Sequence, residues 1–155
     1  METRSDFSEL LALLNAYSVD YIVVGGIALA WHGVPRYTGD LDVLVHAEPK
    51  NAKNVVAALA EFGFGEMGIE EDDFVMPERV LQLGYPPVRI DLLTTLTGVT
   101  WEEAWAGSVT GTYGDVPTRY LGREEFISNK NALARKRDLA DVAALANRNR
   151  DGEVK

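Results

Sequence analysis

Tyr21-Ile22-Val23-Val24-Gly25-Gly26 and, thirteen residues further on, Asp40-Leu41-Asp42-Val43-Leu44-Val45 decide the reading of this 155-residue chain. The first is a short β-branched run that stops at two glycines, the pattern of a buried strand. Ile27 to His32 continues as a short helix, which Gly33 and Pro35 bring to a stop. The second run alternates at its start and then turns wholly apolar, as a central strand does.

Working outward, Phe7, Leu10, Leu11, Leu14 and Tyr17 recur at helical spacing, with Ser5 or Asp6 as the expected cap. Beyond the second strand, Pro49 suits a first helical turn. Val55, Val56, Leu59 and Phe62 form that helix's buried side, and Gly63 ends it. Glu70 to Asp73 is read as a solvated acidic loop. Arg79–Gly84 and Val88–Leu93 are expected as two strands joined through Tyr85-Pro86-Pro87, and Thr100–Ala106 as a short helix carrying Trp101 and Trp105. Weaker strands are expected near Val109–Tyr113 and Pro117–Leu121. Helical sequence from Arg123 to about Asn147 closes the chain, its Phe126, Ile127, Leu133, Leu139, Val142 and Leu145 suited to docking on a sheet. Strands and helices alternate, so the fold class is α/β (α+β), with a small mixed sheet. Residues 1–150 read as one domain and 151–155 as a flexible tail.

Composition narrows the chemistry. Hydrophobic residues at 46% and charged residues at 25% are globular proportions, which argues against wholesale disorder. There are no cysteines. Disulfide scaffolds, thiolate zinc sites and cysteine nucleophiles are thereby excluded together. The N-terminus lacks the basic-then-apolar order of a secretory signal. The uncharged stretch Tyr21–Pro35 is broken by glycines and is shorter than the ~20 apolar residues of a membrane span. A cytoplasmic protein with no membrane partner is expected.

The net charge of −9 opposes a broad nucleic-acid surface, because such binding sets cations against phosphates. The charge is unevenly spread, however. Residues 1–118 carry 6 basic and 18 acidic side chains, net −12, whereas residues 119–150 carry 8 basic and 4 acidic, net +4.

Three features bear on reactivity. Gly25-Gly26, at a strand end and helix start, lets a phosphate approach backbone N–H groups, although paired glycines also serve as plain turns. Asp40 and Asp42 stand two apart on a strand and therefore face the same way. Like charges so close call for a cation, and a hard divalent ion such as Mg2+ suits oxygen ligands; the plain alternative is a solvated pair. Asp91, inside the apolar run Val88-Arg89-Ile90-Asp91-Leu92-Leu93, needs a metal or a partner such as Arg89. Three carboxylates beside a phosphate-binding turn form the set that two-metal phosphoryl transfer requires.

The order Gly25-Gly26, Arg36-x-Thr38-x-Asp40-x-Asp42, then Asp91 resembles the signature of the DNA polymerase β-type nucleotidyltransferase superfamily. The form is most similar to its minimal nucleotidyltransferases and the AbiEii-type toxin group. Asn129-Lys130, then Arg135-Lys136-Arg137-Asp138 and Asp141, resembles that group's C-terminal helical segment. The resemblance implies a small mixed sheet flanked by helices, with C-terminal helices packed on it. It implies transfer of a nucleoside monophosphate from an NTP, ATP among them, to an acceptor hydroxyl, with pyrophosphate released. Asp40 and Asp42 would ligate both metals, Mg2+ or alternatively Mn2+. Asp91 would hold the second metal and help deprotonate the acceptor. Gly25 and Gly26 would hold the β- and γ-phosphates; many relatives carry serine at the second position, where Gly26 offers backbone alone.

Arg36, Thr38 and Lys130 join the candidate nucleotide-binding residues, each with a bland alternative: an ion pair, a turn bond and a solvated helix face. Arg135 and Lys136 share the last alternative. Asp138 and Asp141 are read as structural partners of Arg135 and Arg137 at helical spacing. His32 and His46 are read as incidental, and Trp101 and Trp105 as core or interface anchors rather than base platforms. The partners expected are an NTP and an acceptor that is a small molecule, a protein or an RNA end. A homodimer or an antitoxin-like partner would complete the site. The alternative function is a non-catalytic module, or a toxin–antitoxin component acting through its partner.

Overall fold

The computed structural model describes residues 1–34, 38–85 and 88–147. Arg36, Pro86, Pro87 and residues 148–155 lie outside the described residues. The elements are α1 (Ser5–Ala16), β1 (Tyr21–Val24), α2 (Gly25–Trp31), β2 (Asp40–Val45), α3 (Pro49–Leu59), β3 (Val80–Tyr85) and β4 (Val88–Leu93). After these come α4 (Trp101–Gly107), β5 (Val109–Tyr113), β6 (Val116–Tyr120), α5 (Arg123–Leu133) and α6 (Lys136–Ala146). The strands form one mixed sheet in the order β3-β4-β2-β1-β6-β5. At its centre β1 runs antiparallel to β2, while β2–β4 and β1–β6 are parallel pairs. The hairpins β3–β4 and β5–β6 make the two edges. The α/β class and the mixed sheet flanked by helices are as the sequence implies.

All four residues of β1 are buried, and β2 alternates before becoming wholly buried, because helices cover both faces of the centre. Register assigns the faces. Val23 lies opposite Val43 and beside Tyr120, so Tyr120 shares the Val43 face, and so does Tyr113 through the β5–β6 pairing. Phe7 of α1 meets Tyr113 and Trp31 of α2 stacks on Tyr120, which puts these helices on that side. Arg119, one residue earlier than Tyr120, points to the other face, where its guanidinium covers Trp105 of α4. Asp40, Asp42 and Asp91 share that second face. The link between β1 and β6 is short: one register pair, Val23 with Tyr120, and a bond from Leu121 N to Val23 O of 2.9 Å.

Local chemistry sets most boundaries. Glu48 caps α3 by accepting from Asn51 N at 2.6 Å, and Thr100 and Glu103 form a reciprocal capping box on α4. Several boundaries differ from expectation. Neither Ser5 nor Asp6 caps α1; Arg4 is the cap position, held there by Tyr113 Oη accepting from its backbone N at 2.8 Å. The α2 helix begins on the glycines themselves. The acidic stretch is a tight helical turn, Glu71–Phe74, anchored by the fully buried Phe74. The C-terminal helical sequence is two helices, separated where Ala134 turns left-handed at φ 54°. Asp138, Asp141 and Leu145 line the buried stripe of α6 at i, i+3 and i+7, which turns Leu139 outward.

Candidate active site

The parallel pairing of β2 with β4 sets Asp42 directly beside Asp91 and Asp40 directly beside Arg89. Alternation along each strand sends all four side chains to one face. The sheet thus brings the three expected carboxylates together. Asp91 is buried at 7% exposure, while Asp40 and Asp42 are half-buried. Burial first, then the charges of Asp91 and Asp40, push the Asp42 carboxyl up from 3.8 to about 7, with Arg89 opposing. Burial and like charge thus both disfavour ionised Asp42.

Among the described residues, Arg89 supplies the counter-charge. Its Nη2 donates to Asp91 Oδ2 at 3.2 Å and reaches Asp40 Oδ2 at 3.5 Å, while its Nε lies 3.0 Å from Asp91 Oδ1. That last approach is close enough for an ion pair but misaligned for a hydrogen bond, so Arg89 Nε and Asp91 Oδ1 are both buried without a hydrogen-bond partner. Among the described residues no three carboxylates converge tightly enough to hold an ion as they stand. The donor set nevertheless suits a hard divalent cation: three carboxylates on adjacent strands, one with an orphaned buried oxygen.

The glycine turn abuts this cluster. Gly25 adopts φ +69°, and a Cβ there would overlap Asp42 Oδ2. At Gly26 a Cβ would stand 3.3 Å from the Thr38 side chain. Thr38 therefore fills the space next to Gly26 that a larger residue would contest. Its Oγ1 also accepts from Asp40 N at 3.1 Å and so fixes the entry to β2. Val24, at the cap position of α2, offers its first turn no side-chain acceptor.

Lys130 pairs with α6. Its Nζ is 3.4 Å from Asp138 Oδ1 and 3.8 Å from Asp141 Oδ2, so its charge serves two buried aspartates of α6. Arg135, expected to pair with Asp138, does so at 2.6 Å. Asp141 meets Lys130, a contact that helix spacing to Arg137 did not suggest. Of the six described cations in the basic C-terminal segment, four are thus engaged within the protein: besides Lys130 and Arg135, Arg123 Nη2 donates to Leu145 O at 2.9 Å and Arg119 covers Trp105 at 4.0 Å, while Lys136 and Arg137 are exposed. His46 and the tryptophans form a stack missed by treating each alone. His46 lies on Trp101 at 4.7 Å, and Trp101 on Trp105 at 5.3 Å. Residues 40, 42, 44 and 46 alternate to one side, which was the available signal. His32 closes α2, with Nε2 2.7 Å from Leu121 O. A cavity of about 550 Å³ lies on the α1 side, lined by Arg4, Phe7, Ile27 and Tyr113, and touches the candidate site through Thr38.

A profile of the family described as nucleotidyl transferase AbiEii toxin, type IV TA system, matches residues 10–109. That span holds the glycine turn and all three aspartates. No curated protein matches the sequence. Among solved structures, the fold is similar to the lincosamide antibiotic adenylyltransferase LnuA with lincomycin bound. The TM-score is 0.58 at 17% identity, over 93% of this chain and 96% of that one. It is also similar to the Thermotoga maritima protein TM1012, described as a nucleotidyltransferase, with TM-score 0.55 at 11% identity over 90% of this chain and 88% of that one.

Proposed function

The chain belongs to the AbiEii nucleotidyl transferase family, and from that premise we propose that it moves a nucleoside monophosphate from an NTP to an acceptor hydroxyl. The observation that carries this reading is the β2–β4 register, which sets Asp42 beside Asp91 next to the Gly25-Gly26 turn. In the reaction the acceptor oxygen bonds to the α-phosphorus, the bond from that phosphorus to the β-phosphate bridge breaks, and pyrophosphate leaves. Mg2+ or Mn2+ held by Asp40, Asp42 and Asp91 would offset the triphosphate charge and polarise the reacting phosphate. Gly25 and Gly26 lend backbone N–H groups to the β- and γ-phosphates. Asp91 takes the acceptor's proton. Thr38 packs against Gly26, and Arg36 completes the nucleotide-binding set that the family resemblance implies, whereas Lys130 is engaged by Asp138 and Asp141.

The family's toxin description supports a second protein, an antitoxin, as partner, and LnuA's name supports a small-molecule acceptor with adenylate as the group moved. Label transfer decides the chemistry. With a divalent cation, label from the α-phosphate of an NTP should reach an acceptor and label from the γ-phosphate should not. Asp42→Asn should lower transfer by at least about a hundredfold. Undiminished transfer in that variant would refute the assignment.

A further inference from the structure

Among the described residues, Arg89 is the charged side chain in the carboxylate cluster to which the proposed reaction gives no task. It sits two residues before Asp91 on β4 and directly beside Asp40 on β2, so it projects among the three acids rather than away from them. We infer that Arg89 is a displaceable counter-ion, whose guanidinium bridges Asp40 and Asp91 in the metal-free protein and competes with a divalent cation for the same oxygens. This rests on the metal-dependent reading above.

Three observations support the exchange. The bridge is loose: one contact is long at 3.5 Å, and the shortest approach, Nε to Asp91 Oδ1, is too misaligned to be a hydrogen bond. A guanidinium seated for permanent structural duty makes parallel, aligned bonds to a carboxylate, as Arg135 does with its own partner Asp138. The Arg89 side chain also remains 27% exposed, so it has a route to solvent. Finally, among the described residues one guanidinium serves three acids, with hydrogen bonds to Asp40 and Asp91 but none to Asp42. A divalent ion brings twice the charge to the same place. Entry of the ion must break the Arg89 contacts, so the metal alone should bind weakly. A metal arriving with a triphosphate should bind better, since the released guanidinium then finds phosphate oxygens as partners.

The test uses the full chain and Mn2+ alone, with affinity read by calorimetry or by the spin resonance of free Mn2+, and thermal unfolding read with and without chelator. Arg89→Gln should unfold at a lower temperature than wild type in chelator. It should bind Mn2+ about tenfold more tightly, the effect of removing one charge-assisted contact pair, and gain the larger thermal shift from the ion. Arg89→Lys keeps a charge without the fork and should lie between the two, which secures the comparison if the glutamine variant does not fold. Asp42→Asn added to Arg89→Gln should abolish the gain. Mn2+ affinity equal to or weaker than wild type in both Arg89 variants overturns the inference while leaving the metal reading intact. No Mn2+ binding by any variant, and none by wild type with an NTP present, overturns both.

Discussion

At position 25 the backbone sits at φ +69° and the space for a Cβ is taken by Asp42 Oδ2, so glycine answers two separate demands there. Gly26 has neither a positive φ nor an overlapping neighbour. Gly25→Ala should therefore cost about 1–2 kcal/mol from backbone strain alone and should push Asp42 off its position, with a loss of transfer of about a hundredfold. Gly26→Ala meets only the methyl and hydroxyl of Thr38 and should be milder in both respects; unfolding temperatures and label-transfer rates of the pair separate the effects. The three aspartates were legible in the sequence because alternation fixes which face a strand residue takes. Arg89 was legible as a partner for Asp91, two residues along its own strand. Its contact with Asp40 was not, because that depends on which strand β4 adjoins and in what register.

Among elements, α5 and α6 show where local rules stop. Nothing at 133–135 is glycine or proline, so the sequence reads on as helix, yet Ala134 breaks it in a left-handed turn. The start of α6 is held by ion pairs. Hydrogen bonds from the Arg135 side chain, assisted by its backbone N and by Lys130, draw the Asp138 carboxyl down from 3.8 to about 2, against the opposing effect of burial. Unfolded Asp138 takes up its proton near 3.8 and native Asp138 only near 2, so the stability it contributes is complete above about 4 and declines as pH falls towards 2. Unfolding free energies of wild type and Asp138→Asn should accordingly differ by a constant amount at neutral pH and converge between pH 4 and 2. A difference unchanged across that window would show that the ion pair is not what stabilises the helix start. The cap of α1 was illegible for a related reason, since Arg4 is fixed by a hydroxyl 109 positions away.

Across the molecule, the −9 total and its uneven distribution gave an incomplete picture of the surface. Four of the six described C-terminal cations are engaged by Asp138, Asp141, Trp105 and a helix-end carbonyl, and the other two, Lys136 and Arg137, are in solvent. The central strands were readable because β1 and the second half of β2 are wholly buried, uncharged runs. The order in which the edges attach was not, since pairing partners far apart in sequence leave no periodic trace. The seam between β1 and β6 has a kinetic meaning. It joins Val23 to Tyr120, 97 positions apart, through very few bonds, whereas β2, β3 and β4 meet over extended registers within 54 positions, from Asp40 to Leu93. Closing the longer loop loses more chain entropy and gains less until its neighbours are formed. The three aspartates therefore belong to an early-folding half and the β5–β6 hairpin to a late one. Amide hydrogen exchange should find β5 and β6 opening at lower free energy than β2 and β4, so that the chain can transiently release its C-terminal third while the carboxylate strands stay paired.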